Sequence, residues 1–229
     1  MKRLPIICIV LVLILICCSL FIHRASNANA TKKIAGEYTV VIDAGHGGKD
    51  AGAIGVDGSN EKTINLKIAE CLYDFLRFSG INAVMTRSGD YETYYDKNDD
   101  KTRSDLYNRM DLVNSIENSV LISIHQNHFE DSAEHGTQIW YSANTAKSKV
   151  LADSILQCIK LNLQSDNKRE NKESGSSYYL LYKAKSPSIM VECGFVSNPE
   201  ENKLLQNSEY QQKMAYSIFA GTNGVLYGK

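Results

Sequence analysis

The chain has few cysteines outside its first two dozen residues, and these few are not the even set that a disulfide framework requires. Six cysteines occur in 229 residues, and three of them lie in an apolar run near the N-terminus. A fold held together by disulfides pairs its cysteines at loop positions. The remaining three, Cys71, Cys158 and Cys193, fall mainly in predicted helix and strand, so we interpret them as small core residues.

The sequence also lacks an excess of positive charge. Its formal net charge is −1 at pH 7. Proteins that bind nucleic acids neutralise phosphates with a basic patch, so the composition argues against a DNA or RNA partner. The sequence contains no internal repeat, and the length of its soluble part predicts one domain. We expect the protein to be a monomer.

The N-terminus has the composition of a segment that enters a membrane. Lys2 and Arg3 precede an uncharged apolar run over residues 4–22, which is long enough to cross ~30 Å of hydrocarbon at ~1.5 Å per residue. This length favours a signal anchor, whereas Ala28-Asn29-Ala30 offers the cleavage site of a signal peptide. Residues 1–30 are therefore predicted to be a signal peptide or signal anchor, and residues 31–37 a tether. Both readings place the domain from residue 38 to 229 outside the cytoplasmic membrane.

Strand and helix patterns alternate from residue 38 onward. The apolar run YTVVID (38–43) predicts a strand buried on both faces, and a helix from Glu61 to Gly80, capped by Ser59 or Asn60, leads to a strand at residues 81–86. Further strands are predicted at residues 120–124, 136–141 and 188–193, and further helices near residues 106–116, 146–163 and 209–221. This order predicts an α/β fold: a single domain with a twisted, mixed, mostly parallel sheet and helices on both faces. Two polar stretches, at residues 91–102 and 165–177, are predicted to be mobile loops.

Polar residues stand at three places where the predicted strands end. His46 follows the first strand, His125 ends the strand SVLISIH, and Glu192 interrupts an apolar strand. Ligands of open α/β sheets bind beyond the carboxyl ends of the strands. Glu61, the first residue of a helix, projects toward the same edge, although a carboxylate there also suits the helix dipole.

Two histidines and one carboxylate are the protein ligands of catalytic zinc in hydrolases. We therefore predict that His46, Glu61 and His125 bind zinc and that Glu192 is a general base with a pKa raised by burial. The alternative for Glu192 is a structural salt bridge with Arg87 or Arg109. The competing histidines, His128 and His135, lie in a predicted loop.

The glycines of GHGG let the backbone take positive φ and approach a ligand closely. A metal-binding histidine also needs an acceptor for its other ring nitrogen, and Asp43 or a loop carbonyl is the predicted acceptor for His46.

Six short motifs occur in an order that resembles the zinc-dependent, type 3 N-acetylmuramoyl-L-alanine amidases. They are VVIDAGHGGKDAGAIG, NEKTINLKIAECL, TRSGD, LYNRMDLVN, LISIHQN and IMVECGFVSNPEE. The resemblance implies a zinc site at His46, Glu61 and His125, a catalytic base at Glu192, and cleavage of the amide between the lactyl group of muramic acid and L-alanine. It implies peptidoglycan as substrate in an extracytoplasmic compartment.

The stretches LQSDNKRENK and YLLYK resemble the germination-specific branch of the family, whose members prepare muramic-δ-lactam in the spore cortex. Two positions depart from the common family pattern, because His128 replaces a small residue and Tyr182 replaces an arginine. The substrate contacts that the family pattern implies are therefore not carried over to these two positions.

Two other functions are compatible with parts of the sequence: an inactive, membrane-tethered peptidoglycan-binding module, and a zinc exopeptidase that acts on free peptides. The stretch 165–177 lacks the apolar periodicity of a helix that could dock on the zinc site. We therefore expect an open site, with control by expression, by location or by an activating partner in trans.

Overall fold

The computed structural model describes residues 38–93 and 101–228. The predicted signal segment and tether lie outside these residues, as does part of the first polar stretch. Within the described part of the chain, no helix is both long enough and apolar enough to span a membrane.

A six-stranded sheet forms the centre of the domain. Its strands are β1 (Thr39–Ala44), β2 (Asn82–Met85), β3 (Ser119–Asn127), β4 (Gln138–Tyr141), β5 (Lys172–Glu173) and β6 (Ser188–Phe195). They lie in the order β2-β1-β3-β6-β4-β5. The first four are parallel to one another, whereas β4 runs antiparallel to β6 and parallel to β5. The prediction of a mixed, mostly parallel sheet in one α/β domain is confirmed.

Helices cover both faces of the sheet, but unequally. They are α1 (Glu61–Phe78), α2 (Lys101–Ser115), α3 (Ala146–Asn162), α4 (Tyr179–Lys183), α5 (Pro199–Leu205) and α6 (Ser208–Tyr227). The main core lies on the first face, where α1, α3 and α6 pack on strand residues such as Ile42, Ile122 and Val191. The second face carries a smaller core, in which α2 and α4 pack around Val41 and Leu121.

Several local predictions need correction. Helices α4 and α5 and strand β5 were not predicted, because elements of two to seven residues carry little periodicity. Asn60 stands at the N-cap of α1, but its side chain makes no capping hydrogen bond. By contrast, Asn198 and Asn207 cap α5 and α6 by accepting two backbone N–H bonds each.

The second polar stretch is not the mobile loop that its composition predicts. Asn167 is buried and donates to the carbonyl of Thr137 at 3.0 Å. Arg169 donates to the carbonyl of His135 at 2.7 Å, and Asn171 donates to Asp153 at 2.8 Å. These bonds tie the first part of the stretch to its neighbours, since polar side chains there find partners within the fold.

The contact between α3 and α6 depends on a glycine. A Cβ at Gly221 would lie 2.6 Å from the Cα of Ile155. Alanine normally stabilises a helix interior by about 1 kcal/mol relative to glycine, whereas overpacking costs about 1–3 kcal/mol. Because the obstacle is backbone, we expect Gly221→Ala to lower the free energy of unfolding by about 1–2 kcal/mol in a urea titration. Gln212→Ala, at an exposed position of the same helix, is the control, and a stabilised Gly221→Ala variant would contradict this packing.

Candidate metal centre

Three side chains from three different elements meet at the carboxyl edge of the sheet. His46 lies in the loop after β1, Glu61 is the first residue of α1, and His125 lies in β3. The Nε2 atom of His46 is 3.3 Å from Oε2 of Glu61, and Nδ1 of His125 is 3.0 Å from Oε1. One donor atom from each residue lies within 4.8 Å of the others, so these three residues form a group that could hold a metal ion.

Glu61 is the central member of this group and is almost fully buried. Its Oε1 accepts hydrogen bonds from the backbone N–H of Gln126 at 2.9 Å and from the side chain of Asn65 at 3.2 Å, and its Oε2 accepts one from the N–H of Ala53 at 2.8 Å. Burial by itself would raise the pKa of Glu61, but its bonds to His125 and His46 hold that pKa far below the usual range. The carboxylate is therefore ionised and fixed in place.

The loop that carries His46 has an unusual backbone. His46 itself is in the left-handed region, with φ of 62°, which few non-glycine residues adopt. A Cβ at Gly45 would lie 2.3 Å from the His125 ring, and a Cβ at Gly52 would lie 2.6 Å from Oε2 of Glu61. Gly45 and Gly52 therefore leave the space that the donor side chains occupy.

Two buried arginines hold this loop from below. Arg87 donates to the carbonyls of Ala44 at 2.8 Å and Gly45 at 3.0 Å. Arg109 donates to the carbonyls of Ala44 and His46, both at 2.8 Å, and pairs with Asp43 at 2.8 Å. Neither arginine pairs with Glu192, so the salt-bridge alternative for Glu192 is wrong in the described structure.

The acceptor for the second ring nitrogen of His46 is Asp50, at 2.7 Å from Nδ1, and not Asp43. Burial lowers the pKa of His46, but Glu61 and Asp50 raise it to about 9. Asp43 instead accepts from Thr86, Ser123 and Arg109. Asp50 stands four residues after His46 in GHGGKD, and that short spacing was the signal that sequence reasoning missed.

Glu192 lies beside this group on the second face of the sheet. Its Cα pairs with that of His125 across β3 and β6, and its Oε2 is buried without a hydrogen-bond partner among the described residues. Burial raises the pKa of Glu192 to about 7; the charge of Glu61 adds to this shift, whereas His125 and His46 oppose it. A carboxylate with a pKa near neutrality can both accept and donate a proton at neutral pH.

The two competing histidines lie apart from the three donors. His128 is exposed, and His135 bonds through Nδ1 to the carbonyl of Ala133 at 3.0 Å. Neither belongs to the group that could hold a metal. Two imidazole nitrogens and one carboxylate form the donor set of catalytic zinc sites, and the three residues fit such an ion chemically.

The described domain is similar to known amidases in sequence. Residues 40–223 match the family model described as N-acetylmuramoyl-L-alanine amidase. The chain is 32% identical over 209 residues to the germination-specific N-acetylmuramoyl-L-alanine amidase of Bacillus subtilis, a match that covers 88% of this chain and 86% of that protein. It is 30% identical over 243 residues to N-acetylmuramoyl-L-alanine amidase AmiA of Escherichia coli, covering 86% and 80%.

Solved structures give the same result. The CwlD amidase from Clostridioides difficile, determined in complex with the GerS lipoprotein, superposes with a TM-score of 0.80 at 36% identity, covering 83% of this chain and 99% of that chain. The amidase AmiC2 of Nostoc punctiforme superposes with a TM-score of 0.70 at 31% identity, covering 82% and 96%.

The pair of Asp43 and Arg109 predicts a pH-dependent stability. Burial opposes ionisation of Asp43, but Arg109 and Ser123 lower its pKa from 3.8 to about 2. Removing one partner of a buried pair costs about 3–5 kcal/mol, so we expect Asp43→Asn to lower the free energy of unfolding by that amount at pH 7. A carboxylate with a depressed pKa stabilises the fold above its unfolded pKa and loses this effect as pH falls through the folded pKa. The difference from wild type should therefore shrink between pH 4 and pH 2, measured by urea unfolding.

Asp153→Asn is the matched control for Asp43→Asn. Asp153 pairs with Lys149 at 2.7 Å on the surface, where solvent screens the interaction, so only a small change is expected. Equal losses in the two variants would contradict the structural role of Asp43.

The donor group predicts which histidine variants lose metal. His125→Ala removes one of three donors, so we expect its metal affinity to fall by more than about 100-fold, beyond the loss caused by removing a residue that only orients a donor. His128→Ala should keep full occupancy, because that side chain is exposed and outside the group. Elemental analysis of the purified variants measures the metal content per protein chain. Loss of metal from the His128→Ala variant would show that the donor set is misassigned.

Proposed function

The chain belongs to the N-acetylmuramoyl-L-alanine amidase family, and we propose that it removes stem peptides from peptidoglycan with a zinc ion held by His46, Glu61 and His125. The observation that supports this proposal is the convergence of three donors beside a buried carboxylate, Oε2 of Glu192, that lacks a partner within the described structure. A protein that only binds peptidoglycan could use the three metal donors, but it has no need of a proton acceptor beside them. A hydrolase also needs the unpaired carboxylate.

The bond that breaks is the amide between the lactyl group of N-acetylmuramic acid and L-alanine. A zinc ion in this site would polarise the scissile carbonyl and activate the attacking water. Glu192 takes a proton from that water and delivers it to the nitrogen of the leaving L-alanine. Burial raises the pKa of Glu192, and a carboxyl group whose pKa is raised toward neutrality is suited to both steps.

The other residues of the site hold this geometry. Asp50 fixes the ring of His46 so that Nε2 faces Glu61. Asn65 bridges Oε1 of Glu61 and the carbonyl of Gly45 at 3.1 Å, which links the helix donor to the loop. The donor atoms are thus positioned before substrate binds, and little reorganisation remains for the reaction.

We further propose a role in spore cortex maturation or germination, outside the cytoplasmic membrane. Its support is the similarity to the germination-specific amidase of B. subtilis and to the C. difficile CwlD amidase. Since the latter was determined with the GerS lipoprotein, an activating partner in trans is part of this proposal. The predicted signal segment fits the same location.

Glu192→Gln separates the chemistry from metal binding. The amide keeps the size of the side chain and leaves the three donors in place, but it cannot accept a proton. We expect normal zinc content and a fall of about 10²-fold or more in the release of stem peptides, measured by mass spectrometry of digested peptidoglycan. A rate equal to that of wild type would show that Glu192 is structural. Cleavage of free peptides, with none of peptidoglycan, would favour an exopeptidase.

A further inference from the structure

The second face of the sheet continues past Glu192 toward strands β4 and β5. Cα pairing places Gln138 of β4 opposite Glu192, and places Trp140 opposite Met190 in the next row. Lys172 of β5 is paired in turn with Trp140. Because paired residues point to the same side of a sheet, the Trp140 side chain projects from the same face as Glu192, two residues along the strand from its partner.

Two aromatic rings meet on this face. The ring centroids of Trp140 and Tyr178 are 5.0 Å apart, with an interplanar angle of 37°. Both residues are half-buried, so each keeps some exposed surface. The Nζ atom of Lys172 lies 5.4 Å from the Trp140 centroid, as expected for a positively charged group at the negative face of an aromatic ring.

The charge of Glu192 also acts on Tyr178. Burial, followed by the negative charge of Glu192, raises the pKa of Tyr178, so its hydroxyl lies within electrostatic range of Glu192. That hydroxyl makes no hydrogen bond to any described residue. A polar group without a partner, at the rim of an aromatic surface and near the reacting centre, is available to a substrate hydroxyl or amide.

We propose that Trp140 and Tyr178 form a subsite for a sugar ring of the glycan strand. This subsite rests on the proposed function, because it places the carbohydrate relative to Glu192. A pyranose presents one face of C–H groups with partial positive charge and a rim of hydroxyl groups. The two aromatic faces match the C–H groups, and the Tyr178 hydroxyl and Lys172 match the rim.

The spacing fits the chemistry of the substrate. In muramic acid, only an ether oxygen and one carbon separate the pyranose from the scissile carbonyl. Two residues along a strand span about 7 Å, so Trp140 stands about one sugar ring away from the row of Glu192. A ring that packs on Trp140 and Tyr178 therefore brings its own lactyl group, or that of the adjacent sugar, to Glu192.

The stem peptide fits this surface less well. A peptide in extended conformation is recognised by backbone hydrogen bonds along a sheet edge and by pockets for alternate side chains. Flat aromatic faces on the body of the sheet supply neither. We therefore assign the glycan, and not the peptide, to this surface.

The single tryptophan of the chain makes the subsite directly observable. Since Trp140 is the only source of tryptophan fluorescence, wild-type protein can be titrated with glycan oligosaccharides of N-acetylglucosamine and N-acetylmuramic acid that lack stem peptides. These ligands cannot be cleaved. We expect a saturable change in emission with the oligosaccharides and none with free stem peptide. A change in emission with stem peptide but not with the oligosaccharides would overturn the assignment. No change with either ligand would also overturn it.

Variants test the same subsite during turnover. We expect Trp140→Ala and Tyr178→Ala to raise KM for peptidoglycan fragments about tenfold, the equivalent of one lost aromatic contact, with kcat changed much less and zinc content unchanged. Trp140→Phe should recover most of the affinity. Phe78→Ala removes an aromatic side chain that is 95% exposed on α1 and should leave KM unchanged. Unchanged KM in both alanine variants would overturn the proposal.

The two experiments separate this inference from the proposed function. If wild-type protein binds the peptide-free glycan at Trp140 but releases no stem peptide, the subsite stands and the proposed reaction fails. If wild-type protein releases stem peptides with the same KM as both alanine variants, the reaction stands and the subsite fails.

Discussion

The buried carboxylate of Glu61 sets the constraint on which the rest of the site depends. An ionised group removed from water is costly unless it is fully paired and hydrogen-bonded. Here both oxygens are in use: two backbone N–H groups and the amide of Asn65 bond to them, and His46 and His125 face them. In the protein alone, this negative charge raises the pKa of His46 and so favours its protonated form. A divalent cation would take the place of that proton, so the same charge that organises the site also favours metal binding.

The metal centre is held in place by hydrogen bonds from buried arginine side chains to the backbone that carries His46. Arg87 and Arg109 are buried and bond to successive carbonyls of the loop that carries His46. Asp43 offsets the charge of Arg109. A left-handed backbone at His46 costs free energy and persists only where the surrounding structure holds it; here Arg109 bonds to the His46 carbonyl. The left-handed backbone of His46 therefore depends on the buried ion pair of Asp43 and Arg109.

The sequence predicted the parts of this arrangement that follow from local pattern. Buried strands show as apolar runs, and His46, His125 and Glu192 stand out because each is a polar residue where such a run ends or is interrupted. The remaining parts are not local. Arg109 and Asp43 are 66 positions apart and meet only because β1 and α2 pack together. The pairing of Trp140 with Tyr178 depends likewise on a helix of five residues, α4, which is too short to show a period.

The two faces of the sheet have different roles: the first provides most of the core, and the second carries His125 and Glu192 of the candidate site. Long helices seal the first face, which provides the main core. The second face is covered by α2 and the short α4 around a smaller core, and this leaves a row of polar and aromatic side chains beside Glu192. Burial of Glu192 on that face raises its pKa, while positive charge at the neighbouring donors lowers it. The base and the metal donors therefore influence each other electrostatically, because Glu192 and His125 are paired on adjacent strands of the same face.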